Sequence, residues 1–172
     1  IDPTTGEILA LASSPSFDPN VLSSHDAADI QQNYEALNAD PNQPLLNRPL
    51  AMTLPPGSTF KLVTAAAALE SGDYTADSEL PGPKQINLPG TDVELGNWNS
   101  KSCGTGEVTT LQKALEISCN TAFAWLGMEL GADAIDEQAR KFGFESEFEV
   151  PMMAAVSKFP TDLNKPQTAM SA

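Results

Sequence analysis

Cations are scarce in this sequence. Nine Lys and Arg face 23 Asp and Glu, for a formal net charge of −14. The nine are scattered and form no basic stripe. This balance argues against nucleic acid and anionic lipid surfaces as partners, because phosphate binding needs clustered positive charge. Long apolar runs are also missing: none approaches the roughly 18 residues of a membrane span. No basic-then-apolar leader is present. The chain opens at Ile1, inside what reads as a turn, and stops at Thr168–Ala172 without a polar tail, so both ends read as cut. Histidine is nearly absent, and the single His25 lies in a polar loop where no catalytic role is expected. Cysteine stops at Cys103 and Cys119, which leaves one disulfide or two free thiols.

What is present suits a folded domain. The hydrophobic share of 41% can fill a core. The acidity reads as a solvated surface. Glu7 to Ala12 is short and apolar after Thr5-Gly6, the pattern of a turn and a largely buried strand. Ser13 to Asn20 is loop. Asp26 to Leu37 carries Ala27, Ile30, Tyr34 and Leu37 at helical spacing, which predicts an amphipathic helix. Asp40 to Pro44 is a turn.

Pro55-Pro56-Gly57 ends the preceding segment. The helix that follows starts at Ser58 and runs to Leu69 and Glu70, with Gly72 just past its end. Between Thr59 and Leu69 the one charge is Lys61. A helix apolar all round is a buried helix, so this lysine sits in the first turn of a core helix. Residues 73 to 108 are rich in turn formers. Lys84–Leu88 and Val93–Leu95 make a hairpin across Pro89-Gly90-Thr91-Asp92. Helices follow at Thr110–Ile117, Thr121–Leu130 and Asp133–Phe142, the last two closed by Gly131 and Gly143. Ser118-Cys119-Asn120 interrupts the first two.

Two spacings carry chemistry. Ser58 and Lys61 stand three apart at a helix start, so both side chains share one face. Burial lowers a lysine's pKa, and a lysine so tuned accepts the proton of an adjacent serine hydroxyl. The helix N-terminus adds backbone N–H groups toward developing negative charge. Ser118 and Asn120 place a hydroxyl and a carboxamide two apart on a tight connection, able to point into one cleft. The bland readings are a serine N-cap followed by a surface lysine, and Asn120 capping the next helix.

Pro55-Pro56-Gly57-Ser58-Thr59-Phe60-Lys61 resembles the active-site segment of the penicillin-binding transpeptidases, and Ser118-Cys119-Asn120 resembles their Ser-x-Asn motif. Asp2 to Ser13 and Pro44-Leu45-Leu46-Asn47-Arg48 are similar to that family as well. The resemblance covers most of the chain and points to the monofunctional class B branch, of the actinobacterial penicillin-binding protein A type. It implies an α/β fold of the α+β type: an antiparallel sheet flanked by helices, with a buried central catalytic helix, β-lactamase/transpeptidase-like and incomplete. The family's third motif, Lys-[Ser/Thr]-Gly, does not follow Asn120. Lys101-Ser102-Cys103 is a near miss that precedes the second motif. Residues 1–172 then read as a partial transpeptidase domain, inactive alone, with the third motif beyond Ala172.

The resemblance further implies serine acyl transfer on peptidoglycan stem peptides. Ser58 attacks the D-Ala-D-Ala amide, Lys61 takes its proton, Ser118 relays a proton to the leaving D-Ala, and Asn120 binds the substrate backbone and Lys61. β-Lactam antibiotics acylate the same serine. No metal and no cofactor is implied. The parent protein would work outside the cytoplasmic membrane, anchored by an N-terminal segment absent here, alongside division or elongation proteins. In that compartment a Cys103–Cys119 bond could clamp the loop beside the cleft with about 3 kcal/mol of loop entropy; buried free thiols are the alternative. Trp98 reads as loop packing, or as a substrate-binding residue on the cleft rim. Arg48 reads as a structural brace of the active-site approach, and Phe142-Gly143-Phe144 as packing.

The rivals are a serine β-lactamase and a non-catalytic β-lactam sensor. Class A β-lactamases need a deacylating Glu-x-x-x-Asn well after the second motif. Here the pattern occurs as Glu116…Asn120, inside that motif, and the Glu145/Glu147/Glu149 cluster lacks the Asn. Class D enzymes share Ser-Thr-Phe-Lys but carry Val in place of Asn120.

Overall fold

A computed structural model describes residues 1–147, 150, 152–160, 163–164 and 167–168. Glu149 and residues 169–172 thus lie outside the described residues. The chain divides into two units.

The first unit holds residues 1–54 and the described residues from 147 to 155. Helix α1, Ala27–Ala39, starts where the Asp26 carboxylate accepts the Ala28 amide at 2.8 Å. It buries no residue, and Tyr34 is 48% exposed. The expected apolar face is therefore not a core face. Polar Asn33 lies on it and donates to the Val21 carbonyl instead, holding the 3₁₀ turn Pro19–Leu22. The short helix α2, Arg48–Ala51, carries Pro49 in its first turn and buries Leu50. The Arg48 guanidinium donates to the Asn42 and Gln43 carbonyls, so what it braces is the turn just before it. Glu7 to Ala12 form no strand, and Leu9 is 70% exposed. An apolar run makes a strand only with a ladder partner, and among the described residues none pairs with it.

The second unit holds residues 55–146 and the described residues from 156 on. Its helices are α3 Lys61–Ser71, α4 Leu111–Glu116, α5 Asn120–Leu130 and α6 Ala132–Lys141. Gly72 closes α3 at φ +80°, a left-handed position that glycine takes without a Cβ penalty. The Thr110 hydroxyl caps α4 through the Lys113 amide. Two antiparallel ladders complete the unit. Strand β1 (Glu79–Pro81) pairs with β4 (Val108–Thr110), with Leu80 opposite Thr109. The hairpin strands β2 (Gln85–Asn87) and β3 (Glu94–Gly96) set Ile86 opposite Leu95. The β1–β4 pair is absent from the sequence reading. Its strands are three residues long and far apart, and Pro81 removes a ladder donor.

Alanines let α3 approach its neighbours closely. Ala65 and Ala68 join Leu80, Leu111, Ala114, Ala122, Phe123 and Leu126 in one core cluster, and Phe60 and Val63 join Ile135, Ala139 and Phe159 in another. Helix α3 thereby packs against α4, α5 and α6. It is not buried all round, however: Leu62 and Leu69, one stripe of the helix, are 55% and 49% exposed. Cys103 and Cys119 are bonded to each other across 16 residues. The Cys103 amide also donates to the Gly82 carbonyl, so the bond fixes the 97–104 loop to the start of α5.

Loop entropy for this separation predicts about 3 kcal/mol of stabilisation. Denaturant unfolding of the full-length protein against a Cys103→Ala, Cys119→Ala double variant should show a loss of that size. Equal stability would contradict the clamp.

Candidate active site

The sequence builds the site from three short pieces. Gly57 at φ +57° turns the chain after two prolines, and the Thr59 hydroxyl donates to the Pro56 carbonyl at 2.6 Å. The result is a 3₁₀ turn, Gly57–Phe60, rather than the first turn of the α-helix expected at Ser58. Phe60 anchors it in the core, stacked near Phe159 and edge-on to Phe144. Ser58 is left exposed on the outside of the turn, and Lys61 becomes the first residue of α3.

Lys61 is 5% exposed. Its Nζ lies 2.6 Å from Asn120 Oδ1, 2.9 Å from the Ser118 carbonyl, 3.1 Å from Ser118 Oγ and 3.3 Å from Ser58 Oγ. Burial holds its pKa below the ordinary lysine value of 10.5. The Phe123 ring, 5.8 Å from Nζ, pulls weakly the other way by favouring the cation. The donor count then decides the geometry. A neutral amine has two hydrogens and one lone pair. The Asn120 and Ser118 carbonyl oxygens can only accept, so they take two hydrogens of the amine, and its remaining position, a hydrogen in the charged form and a lone pair in the neutral form, faces the serine hydroxyls.

Ser118 reaches Lys61 twice because it sits at φ +56° between α4 and α5. That left-handed conformation costs a non-glycine residue roughly 1 kcal/mol or more and is held by its surroundings. Asn120 opens α5. Its Oδ1 faces Lys61 while its Nδ2 donates to the Gly96 carbonyl of β3 at 3.0 Å, so the carboxamide orientation follows from partners of fixed polarity.

The structure thus brings Ser58, Lys61, Ser118 and Asn120 together. It places Trp98 elsewhere than in packing: the indole is 79% exposed. The other residues singled out in the sequence stay apart. Glu116 pairs with Lys113, and Glu145 pairs with Arg140 and accepts the Phe159 amide. His25 and Phe142 are exposed, so packing describes only Phe144 of its pair. One buried carboxamide near the site was missed. Asn97 is 8% exposed and bonded to Thr121, next in chain to Asn120. Asn in a turn-rich stretch reads as a turn residue, and only its place between the hairpin and the Ser-x-Asn segment hints otherwise.

A serine beside a buried lysine of lowered pKa, with a second hydroxyl and a carboxamide on the same amine, is an arrangement for serine–lysine acyl transfer. Residues 1–162 match the family model of the penicillin binding protein transpeptidase domain, and the chain belongs to that family. It is 46% identical over 146 residues to the peptidoglycan D,D-transpeptidase PbpA of Mycobacterium tuberculosis H37Rv, covering 85% of this chain and 30% of that protein. Against the peptidoglycan D,D-transpeptidase MrdA of Escherichia coli K12 the identity is 38% over 147 residues, covering 83% and 22%. The fold matches the crystal structure of M. tuberculosis PBPA at a TM-score of 0.88 and 42% identity, over 98% of this chain and 38% of that one. A penicillin G acyl-enzyme complex of the same protein matches equally well, at 0.88 over 98% and 39%. The chain therefore spans about a third or less of the length of the curated relatives it matches.

The lowered pKa of Lys61 is directly measurable. Heteronuclear NMR titration of the Lys61 Nζ resonance should give a midpoint below 10.5. A midpoint at or above that value would refute the burial argument.

Proposed function

We propose that the full-length protein is a peptidoglycan D,D-transpeptidase that uses Ser58 as its nucleophile and is acylated by β-lactams. The four contacts of Lys61 Nζ carry the reading. It is further supported by relatives named as peptidoglycan D,D-transpeptidases and by matched acyl-enzyme complexes with penicillin G and imipenem.

Neutral Lys61 takes the proton of the Ser58 hydroxyl as Oγ attacks the carbonyl carbon of the penultimate D-Ala. Backbone N–H groups at the start of α3 favour the negative charge that develops nearby. The amide C–N bond breaks, the Ser118 hydroxyl passes a proton to the departing D-Ala amine, and Lys61 returns a proton to Ser118. Asn120 holds the substrate backbone and the Lys61 amine. An amine of a neighbouring stem peptide then attacks the ester and regenerates Ser58. The ring carbonyl of a β-lactam enters the first half of this cycle in place of the stem peptide. Trp98, exposed two residues after Gly96, serves as a rim contact for the substrate.

The reading also places the protein outside the cytoplasm, anchored at the membrane, acting with division or elongation proteins. A Cys103–Cys119 bond suits such an oxidising compartment. The deacylating Glu of a class A β-lactamase finds no counterpart in Glu116, whose carboxylate is taken by Lys113.

Ser58→Ala in the full-length protein should abolish covalent labelling by a fluorescent penicillin, with folding unchanged by circular dichroism. Persistent labelling would overturn the assignment. Ser118→Ala should slow both labelling by the penicillin and cross-linking of stem peptides by about 10²-fold, the scale of a lost proton-transfer group, and labelling at the unsubstituted rate would contradict its relay role.

A further inference from the structure

We infer that Asn97 is a positioning residue for the Ser-x-Asn segment: its carboxamide caps α5 from outside the helix and so sets how Asn120 faces Lys61. The inference rests on the acyl-transfer reading above.

Helix α5 begins at Asn120 behind Cys119 as N-cap. The cap side chain is a disulfide sulfur, 3.4 Å from the Ala122 amide, and sulfur is a weak acceptor. The first-turn amides of a helix need partners, and this cap supplies a poor one. Asn97 makes up the shortfall. Its Oδ1 accepts the Thr121 amide at 3.1 Å, the second residue of α5. Its Nδ2 lies 2.8 Å from the Lys101 carbonyl, 3.0 Å from the Pro83 carbonyl and 3.2 Å from Thr121 Oγ1. The Thr121 hydroxyl donates to the same Pro83 carbonyl at 2.8 Å. An amide N–H only donates and backbone carbonyls only accept, so the two ends of the Asn97 carboxamide are not interchangeable. At 8% exposure the network is shielded from water, which raises the cost of leaving any member unpaired.

The consequence falls on the neighbouring residues. Asn97 follows Gly96, whose carbonyl receives Asn120 Nδ2, and Thr121 follows Asn120. Two adjacent bonds thus join the end of β3 to the start of α5. The outer one orients the Asn120 carboxamide, and the inner one, through Asn97, fixes the distance at which it does so. The Asn97 carboxamide bonds to Pro83, Lys101 and Thr121 rather than to Ser58 or Lys61, and it acts through Asn120.

Stopped-flow acylation of the full-length protein by penicillin G separates three quantities: the active fraction, the half-saturating concentration and the first-order acylation constant. Asn97→Ala should lower the constant about tenfold, with half-saturation within twofold and the active fraction normalised. Asn97→Asp keeps an oxygen against the Thr121 amide but sets a carboxylate oxygen against the Lys101 and Pro83 carbonyls and should be no faster than Asn97→Ala, whereas Asn97→Gln, which keeps both ends of the carboxamide, should recover part of that loss. Where Asn97→Ala does not fold, Asn97→Ser is read by the same criterion. An unchanged constant with loss confined to the active fraction marks a purely structural role and overturns the inference. An Asn97→Gln protein no faster than Asn97→Ala also overturns it. Absence of Ser58-dependent acylation in the unsubstituted protein would instead refute the acyl-transfer reading itself.

Discussion

A single buried amine organises this structure. Lys61 Nζ is withdrawn from water at the start of α3, yet it lies within hydrogen-bond reach of four oxygens from three residues. An isolated buried ammonium would be very costly. Burial therefore shifts the amine toward its neutral form, and the surrounding oxygens satisfy what remains. The amine is tolerated for the same reasons that make it a base. Ser118 accepts a left-handed backbone and Asn120 spends its carboxamide to complete the arrangement.

The packing explains how those oxygens stay in place. Alanines on α3 bring α5 and its first residues close, and the Phe123 ring of the same core cluster lies 5.8 Å from the lysine amine. The disulfide and the Asn97 network tie the loop after the hairpin to the same helix start. The site thus rests on short connections, but each is crossed by a covalent bond, a buried amide bond or a core side chain. Precision of this kind is what a preorganised acyl-transfer site requires.

Much of this was legible in the residues. Ser58, Lys61, Ser118 and Asn120 stand in two short motifs, and local spacing sets which side chains share a face. Glycines at 72, 131 and 143 mark helix ends because the chain there turns left-handed or leaves the helix. Other features depend on distant partners and were not legible. Glu7 to Ala12 has the composition of a strand, but composition does not supply a ladder. The α1 stripe has helical spacing, but spacing does not supply a covering surface. The β1–β4 pair and the Asn97–Thr121 bond join residues 24 or more positions apart, and no local pattern announces such contacts. The 3₁₀ turn at Ser58 is a smaller difference with a chemical effect: it leaves the serine exposed while its lysine is buried.

The central claim is that Lys61 acts as a neutral base toward Ser58. Its most direct test is the pH dependence of the acylation rate constant at saturating β-lactam in the full-length protein. Protonation of Lys61 removes the lone pair, so the rate should be low at acid pH and rise with a midpoint below 10.5, where the Lys61 amine itself titrates. A rate that is flat across this range, or that rises only at or above 10.5, would contradict the account.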